Sequence, residues 1–119
     1  MKLVINNCYG GFSLSREAVL LARSLTDDPA WREVYIKGDR YPDGVIVDYD
    51  YGYIHDSIQR DDPILVQVVE QLGSEKASGN CAKLVVEELS KGTVFRIKEH
   101  DGWERIEVSN LFYNWKVAT

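Results

Sequence analysis

The chain has 119 residues, 45% of them hydrophobic and 28% charged, enough for one domain with a packed core and too short for two with separate cores. Its 14 Lys and Arg stand against 19 Asp and Glu, a net charge of −5, which argues against broad binding to duplex nucleic acid or to an anionic membrane surface, because both need positive potential at the contact. A local basic face is compatible with that total.

Lys2 to Asn6 carries Leu3, Val4 and Ile5 at its centre and reads as a short buried strand. The apolar run stops at two asparagines, too soon for a signal-peptide core or a spanning segment, and no other stretch reaches membrane length. Cys8 and Cys81 lie far apart in the chain, which favours a reduced cytoplasmic setting over a structural disulfide. With no CxxC pair and only His55 and His100, regular zinc-ligand spacing is lacking, and no cofactor is expected.

After the first strand, Asn6-Asn7-Cys8-Tyr9-Gly10-Gly11-Phe12-Ser13 leads into a helix in which Leu14, Ala18, Leu21 and Ala22 recur at three-four spacing. Ser13 is read as its N-cap, with Arg16 where a capping box would carry an acid, and the helix should stop before Thr26-Asp27-Asp28-Pro29. Trp31 to Lys37 alternates weakly and is read as a strand, Arg40-Tyr41-Pro42-Asp43-Gly44 as a turn, and Val45-Ile46-Val47 as a further strand. The stretch Asp48 to His55 alternates tyrosine with aspartate, fitting a strand end or a loop with exposed aromatics.

Asp62-Pro63 opens a second helix as N-cap and first residue; Ile64, Leu65, Val68, Val69 and Leu72 form its apolar face and Gly73 closes it. Ser74 to Asn80 reads as a polar connection, Ala82 to Leu89 as a strand, and Thr93 to His100 as a strand paired with Trp103 to Val108 across Asp101-Gly102. A two-residue turn sets the register, placing His100 opposite Trp103, Lys98 opposite Arg105, Ile97 opposite Ile106 and Phe95 opposite Val108. Phe95, Ile97, Ile106 and Val108 then form a core side. Arg96, Lys98, His100, Trp103 and Arg105 share the outer side, offset only by Glu107; such a face is either simply solvated or a cationic surface bearing an aromatic. The expected fold class is α+β, with a mainly antiparallel sheet and two helices on one face, in a single domain spanning residues 1–119.

A strand end that runs through glycines into a helix N-terminus gathers free N–H groups at the positive end of the helix dipole, so residues 6–13 are a candidate anion cradle. The spacing matches neither GxxxxGK[ST] nor GxGxxG, and a sharp strand-to-helix turn alone accounts equally well for two glycines. Cys8 is a candidate nucleophile only if His55 or His100 is brought beside it; a small buried thiol is the alternative. The adjacent carboxylates Asp27-Asp28, Asp61-Asp62 and Glu87-Glu88 serve as caps or point to opposite strand faces, and none forms an acid/base dyad.

The opening Ile5-Asn6-Asn7-Cys8-Tyr9-Gly10-Gly11-Phe12-Ser13-Leu14-Ser15, with Glu17-Ala18 behind it, resembles a family of small proteins common in phage and prophage genomes. The resemblance extends to Asp62-Pro63 through Val68-Val69-Glu70-Gln71-Leu72-Gly73, to Ala77-Ser78-Gly79-Asn80-Cys81 through Glu87, and to Asp101-Gly102-Trp103 through Glu107. Residues Trp31 to Ile58 fall outside it, and Arg16 stands where the family usually carries Glu. The resemblance implies a phage-encoded accessory protein of the anti-defence type, acting in the cytoplasm of an infected bacterium. No catalytic residue is carried over from it.

The leading expectation is a non-catalytic protein that sequesters a small anionic nucleotide-derived signal. Asn7, Tyr9, Gly10, Gly11, Phe12, Ser13, Arg16, Lys76, Lys83 and Trp103 are its candidate ligand residues, combining backbone donors, cations and rings suited to stacking. The alternative is an inhibitor that binds a host protein through Asp48 to Tyr53 and the aromatic tail Leu111 to Trp115. An enzyme built around Cys8 is the third. Surplus aromatics suit a homo-oligomer.

Overall fold

The computed structural model describes residues 1–49, 52–54, 57–109 and 115–119. The elements, in chain order, are β1 (Lys2–Asn6), α1 (Arg16–Leu25), a 3-10 turn (Pro29–Arg32), α2 (Pro63–Leu72), α3 (Ser74–Ala77), β2 (Leu84–Glu88), β3 (Val94–His100), β4 (Trp103–Val108) and β5 (Lys116–Val117). This is an α+β fold. Its antiparallel strands fall into two sheets, β1-β2 and β4-β3-β5, where the sequence suggested one.

β1 runs between them. One edge pairs with β2, Lys2 opposite Glu88 and Asn6 opposite Leu84. Along the other edge the Val4 amide donates to the Arg60 carbonyl at 2.9 Å and the Asn6 amide to Glu104 Oε1 at 2.9 Å, so no strand is needed there to satisfy these buried donors. Leu3 to Asn6 are buried. α2 packs on β1 and β2, and α1 packs on α2 and α3.

α2 forms where the sequence places it: the Asp62 carboxylate accepts from the Ile64 and Leu65 amides, Pro63 needs no donor partner, and Gly73 leaves the helix at φ +83°. Ser74–Ala77 adds one helical turn to what reads as a polar connection. α1 starts two residues later than its serines suggest, with Ser15 as N-cap, its Oγ accepting from the Ala18 amide at 3.1 Å. Ser13 is excluded from that role because residues 13–15 are held extended. Leu14 exchanges backbone bonds with Gly52, Ser13 accepts from the Gly79 amide, and the Ser15 amide donates to Ala77.

Neither Trp31 to Lys37 nor Val45 to Val47 is a strand. Trp31, Val34 and Ile36 are buried as their alternation suggests, but the backbone turns around Arg23. From the last turn of α1 this guanidinium reaches the Trp31 carbonyl at 3.2 Å, the Val34 carbonyl at 3.0 Å and the Asp39 carboxylate at 2.6 Å. Backbone carbonyls spent on one arginine are not available to a sheet ladder. The turn Arg40 to Gly44 is present, closed by the Gly44 amide on the Tyr41 carbonyl, with Val45 and Ile46 exposed beyond it and a single bridge from Arg40 to Ile46.

The β3-β4 register is the one written from the turn, from Phe95 opposite Val108 to His100 opposite Trp103, and Asp101 and Gly102 both adopt positive φ, as a two-residue hairpin turn of this hand demands. Phe95 is buried in a small apolar cluster with Leu3 and Ala118, against which Ile106 packs. Burying Phe95 contributes about 1.5–3 kcal/mol. Val108 departs from the expected core side and is 62% exposed, since this cluster is centred on the middle strand and β4 is the sheet's edge.

Candidate functional site

The hairpin tip docks on the glycine loop, and Asn6 holds the junction. Its fully buried side chain donates from Nδ2 to the carbonyls of Cys8 and Gly102, both at 2.8 Å, and accepts from the Lys83 amide at 2.8 Å. The Gly10 amide donates to the Asp101 carbonyl at 3.1 Å.

The glycines serve close backbone approach. Gly10 and Gly11 lie at φ +114° and +95°. A Cβ on Gly10 would stand 2.6 Å from that of Cys81, and one on Gly102 would collide with the Gly11 backbone nitrogen. The extended segment Phe12 to Ser15 separates this loop from α1, whose first residue is Arg16. The loop therefore lies away from the helix dipole, and the direct strand-to-helix junction assumed for an anion cradle is not what the chain builds.

What the docking creates is an aromatic shelf beside it. Tyr9 projects from the loop, 55% exposed, and Trp103 from the start of β4, 40% exposed. Their rings meet edge to face at 4.8 Å and 82°, with His100 at 6.4 Å from Tyr9, a favourable geometry for ring quadrupoles. Trp103 Nε1 donates to Asn7 Oδ1 at 2.9 Å, fixing the indole. Tyr9, Lys98, Glu99, His100, Trp103 and Arg105 line a concave site of about 530 Å³, within the range of small-molecule sites.

The site is electropositive inside an acidic protein. Lys98 and Arg105 face each other across the strands on the outer side. Arg96 is taken up by Glu107 at 2.7 Å, and Lys98 stands 3.7 Å from the same carboxylate. The hydrogen bond from Arg96 holds the Glu107 carboxyl below the usual range, opposed by desolvation and helped by the charges of Arg96, Lys98 and Arg105. Glu107 is thus ionised at neutral pH, leaving three fixed cations against one carboxylate on this face. Glu99 is engaged by the Gly102 amide at the turn.

Of the residues singled out from sequence, Asn7, Tyr9, Gly10, Gly11 and Trp103 come together at this junction. Lys83 joins it through its backbone, bonded to Asn6 and Asn7, with its side chain exposed. The others lie elsewhere. Phe12 is buried beneath the Arg60 guanidinium, 3.8 Å above its ring; Ser13 is buried and donates to the Asn80 carbonyl. Arg16 begins α1 and acts electrostatically on Asp39, and Lys76 is exposed on α3. Lys98, His100 and Arg105 were legible as a face and not as part of the site.

Sequence reasoning missed Glu104. It sits 7% exposed on the core side and accepts from the Asn6 amide, Arg60 Nε at 3.3 Å and the other Arg60 nitrogen at 2.7 Å. The signal was its register parity with Ile97 and Ile106, which assigns an acid to a buried face and so demands a cationic partner.

Cys8 is half-buried and Cys81 exposed, both as free thiols. His55, Asp50, Tyr51 and residues 110–114 lie outside the described residues, and with them one base considered for Cys8, two residues of the tyrosine stretch and most of the aromatic tail. Among the described residues no cluster of His, Cys, Asp and Glu is arranged to hold a metal ion, and no helix is long and apolar enough to cross a membrane. Compared with known proteins, the chain matches no family model, no curated protein and no solved structure.

Proposed function

We propose that this protein binds a small anionic, nucleotide-like ligand without transforming it, and that the site is the shelf between the glycine loop and the hairpin tip. The observation that carries the proposal is the pairing of two exposed, fixed rings, Tyr9 and Trp103, with Lys98 and Arg105 in one concavity. A base stacks on a ring regardless of its sequence identity, and a phosphate needs the neighbouring cations. The likeness of the opening motif to phage-encoded proteins supplies the setting, sequestration of a nucleotide signal of host defence in the bacterial cytoplasm.

Calorimetric titration with AMP, cyclic AMP, cyclic dinucleotides and cyclic ADP-ribose tests this. At least one should bind with saturation below about 1 mM, be recovered unchanged, and lose roughly tenfold in affinity, ~1.4 kcal/mol, in Tyr9→Ala and in Lys98→Glu. Ribose 5-phosphate, which has the anion and no base, should bind far more weakly. Absence of heat across the panel at that concentration overturns the proposal.

A second reading, inhibition of a host protein, is favoured by the adjacent Val45 and Ile46, 57% and 54% exposed at a turn tip. Retention of a stoichiometric host partner that is lost in Ile46→Asp and kept in Tyr9→Ala would select it.

A further inference from the structure

The shelf is one end of a longer surface. Along the outer side of the three-stranded sheet, the cross-strand pairs follow in the order His100 with Trp103, Lys98 with Arg105, and Arg96 with Glu107. At the far end Trp115 lies beneath the Arg96 guanidinium, 4.6 Å from its carbon to the ring centroid. The face therefore reads ring, cation pair, ring. Arg96 is held on Trp115 from one side and by Glu107 from the other, at 2.7 Å, so the second ring is built into the sheet surface.

The spacing selects the kind of ligand. Trp103 is opposite His100 and Trp115 is beside Arg96, four residues apart on β3, or about 13 Å at ~3.3 Å per residue. A single base cannot lie against both rings. A strand of about three to four nucleotides with its bases splayed apart spans the distance, and its phosphates would fall along Lys98 and Arg105 in the middle. We infer that this sheet face binds single-stranded nucleic acid of about three to four nucleotides, with terminal bases at the Tyr9–Trp103 shelf and on the Arg96 guanidinium that lies over Trp115.

Single strands suit this surface and duplexes do not. Unstacked bases present faces to aromatic side chains on an open sheet, whereas a duplex hides those faces and offers mainly phosphates, for which a protein of net charge −5 has only this small cationic area. The inference rests on the function proposed above and extends its site by a second platform.

The test is calorimetry with AMP and with oligoadenylates of increasing length, up to about six nucleotides. Affinity should rise roughly tenfold between AMP and the tetranucleotide and then level off, with a steeper salt dependence for the longer ligand. Trp115→Ala and Arg96→Gln should erase the length gain, and Trp115→Ala should leave AMP affinity unchanged. Arg96→Gln gives up an exposed ion pair and its contact with Trp115 and should keep the fold, as thermal melting will verify. Equal affinity for AMP and the tetranucleotide, a gain that survives both substitutions, or equally tight binding of a longer, stable duplex overturns the inference. If AMP binds and length adds nothing, only this inference falls; if neither AMP nor any oligonucleotide binds, the proposed function falls with it.

Discussion

Replacing Gly102 with alanine tests whether hairpin docking organises the proposed binding region. At φ +86° an alanine is strained, by about 1–2 kcal/mol. Its Cβ would also collide with the Gly11 amide nitrogen and stand 2.6 Å from the Gly11 Cα, and overpacking against backbone costs about 1–3 kcal/mol more. The tip can instead lift, breaking the bonds from Gly10 to Asp101, from Asn6 to Gly102 and from Trp103 to Asn7, worth roughly 1 kcal/mol each. Either route costs about 3 kcal/mol, a large part of the stability of a domain this size. Gly44→Ala is the matched control: φ is +90°, and nothing lies near the added Cβ, so it should cost only the strain of about 1–2 kcal/mol. Urea unfolding of both variants gives the difference, and the Tyr9–Trp103 contact, followed by near-ultraviolet circular dichroism, should be lost in Gly102→Ala alone. Equal destabilisation by the two substitutions would refute the docking argument.

Glu104→Ala leaves the Asn6 amide and the Arg60 guanidinium without their buried acceptor. Removing one partner of such a pair costs about 3–5 kcal/mol; with the Arg60 side chain 25% exposed, about 3 kcal/mol is expected in urea unfolding, and a loss under about 1 kcal/mol would contradict the assigned role. The Asp39 carboxyl is held below its ordinary value mainly by the hydrogen bond from Arg23, then by the Ile36 amide and the charges of Arg23 and Arg16, against the opposing effect of burial. A depressed folded value means that the carboxylate stabilises the fold above its unfolded value of about 3.9, and that this contribution is lost as pH falls through the folded value. The urea midpoint of the native chain should therefore drop toward that of Asp39→Asn as pH is lowered from about 6 to below about 3; a constant gap between them would contradict the assignment.

What could be read from sequence was what local chemistry decides. Asp62-Pro63 and Gly73 bound α2 because a carboxylate cap, a donor-free first residue and a positive-φ terminator act within one turn of chain. The hairpin register followed from Asp101-Gly102 for the same reason. Where long-range partners decide, local pattern misled. Ser13 and Ser15 are equally good caps, and only the pairing of Leu14 with Gly52 and Ser78 chooses between them. Trp31, Val34 and Ile36 have the burial of a strand without its backbone, because Arg23 takes the carbonyls. The glycine loop reads as an anion cradle, yet the groups that approach it are Cys81 and the backbone of Gly102, far along the chain. Half of the aromatic shelf was visible as a cationic face and the other half as a loop tyrosine; their union depends on Asn6, whose bonds to Gly102 and Lys83 nothing local announces.

The most direct test of the proposed site is amide NMR of the native protein during titration with AMP. Binding at the shelf predicts saturable shifts of the Trp103 indole N–H, of Tyr9 and of residues 98–105, with the indole of the buried Trp31 unmoved. Shifts confined to α1, α3 and the Ser13–Arg16 segment, or no shifts at all, would contradict it.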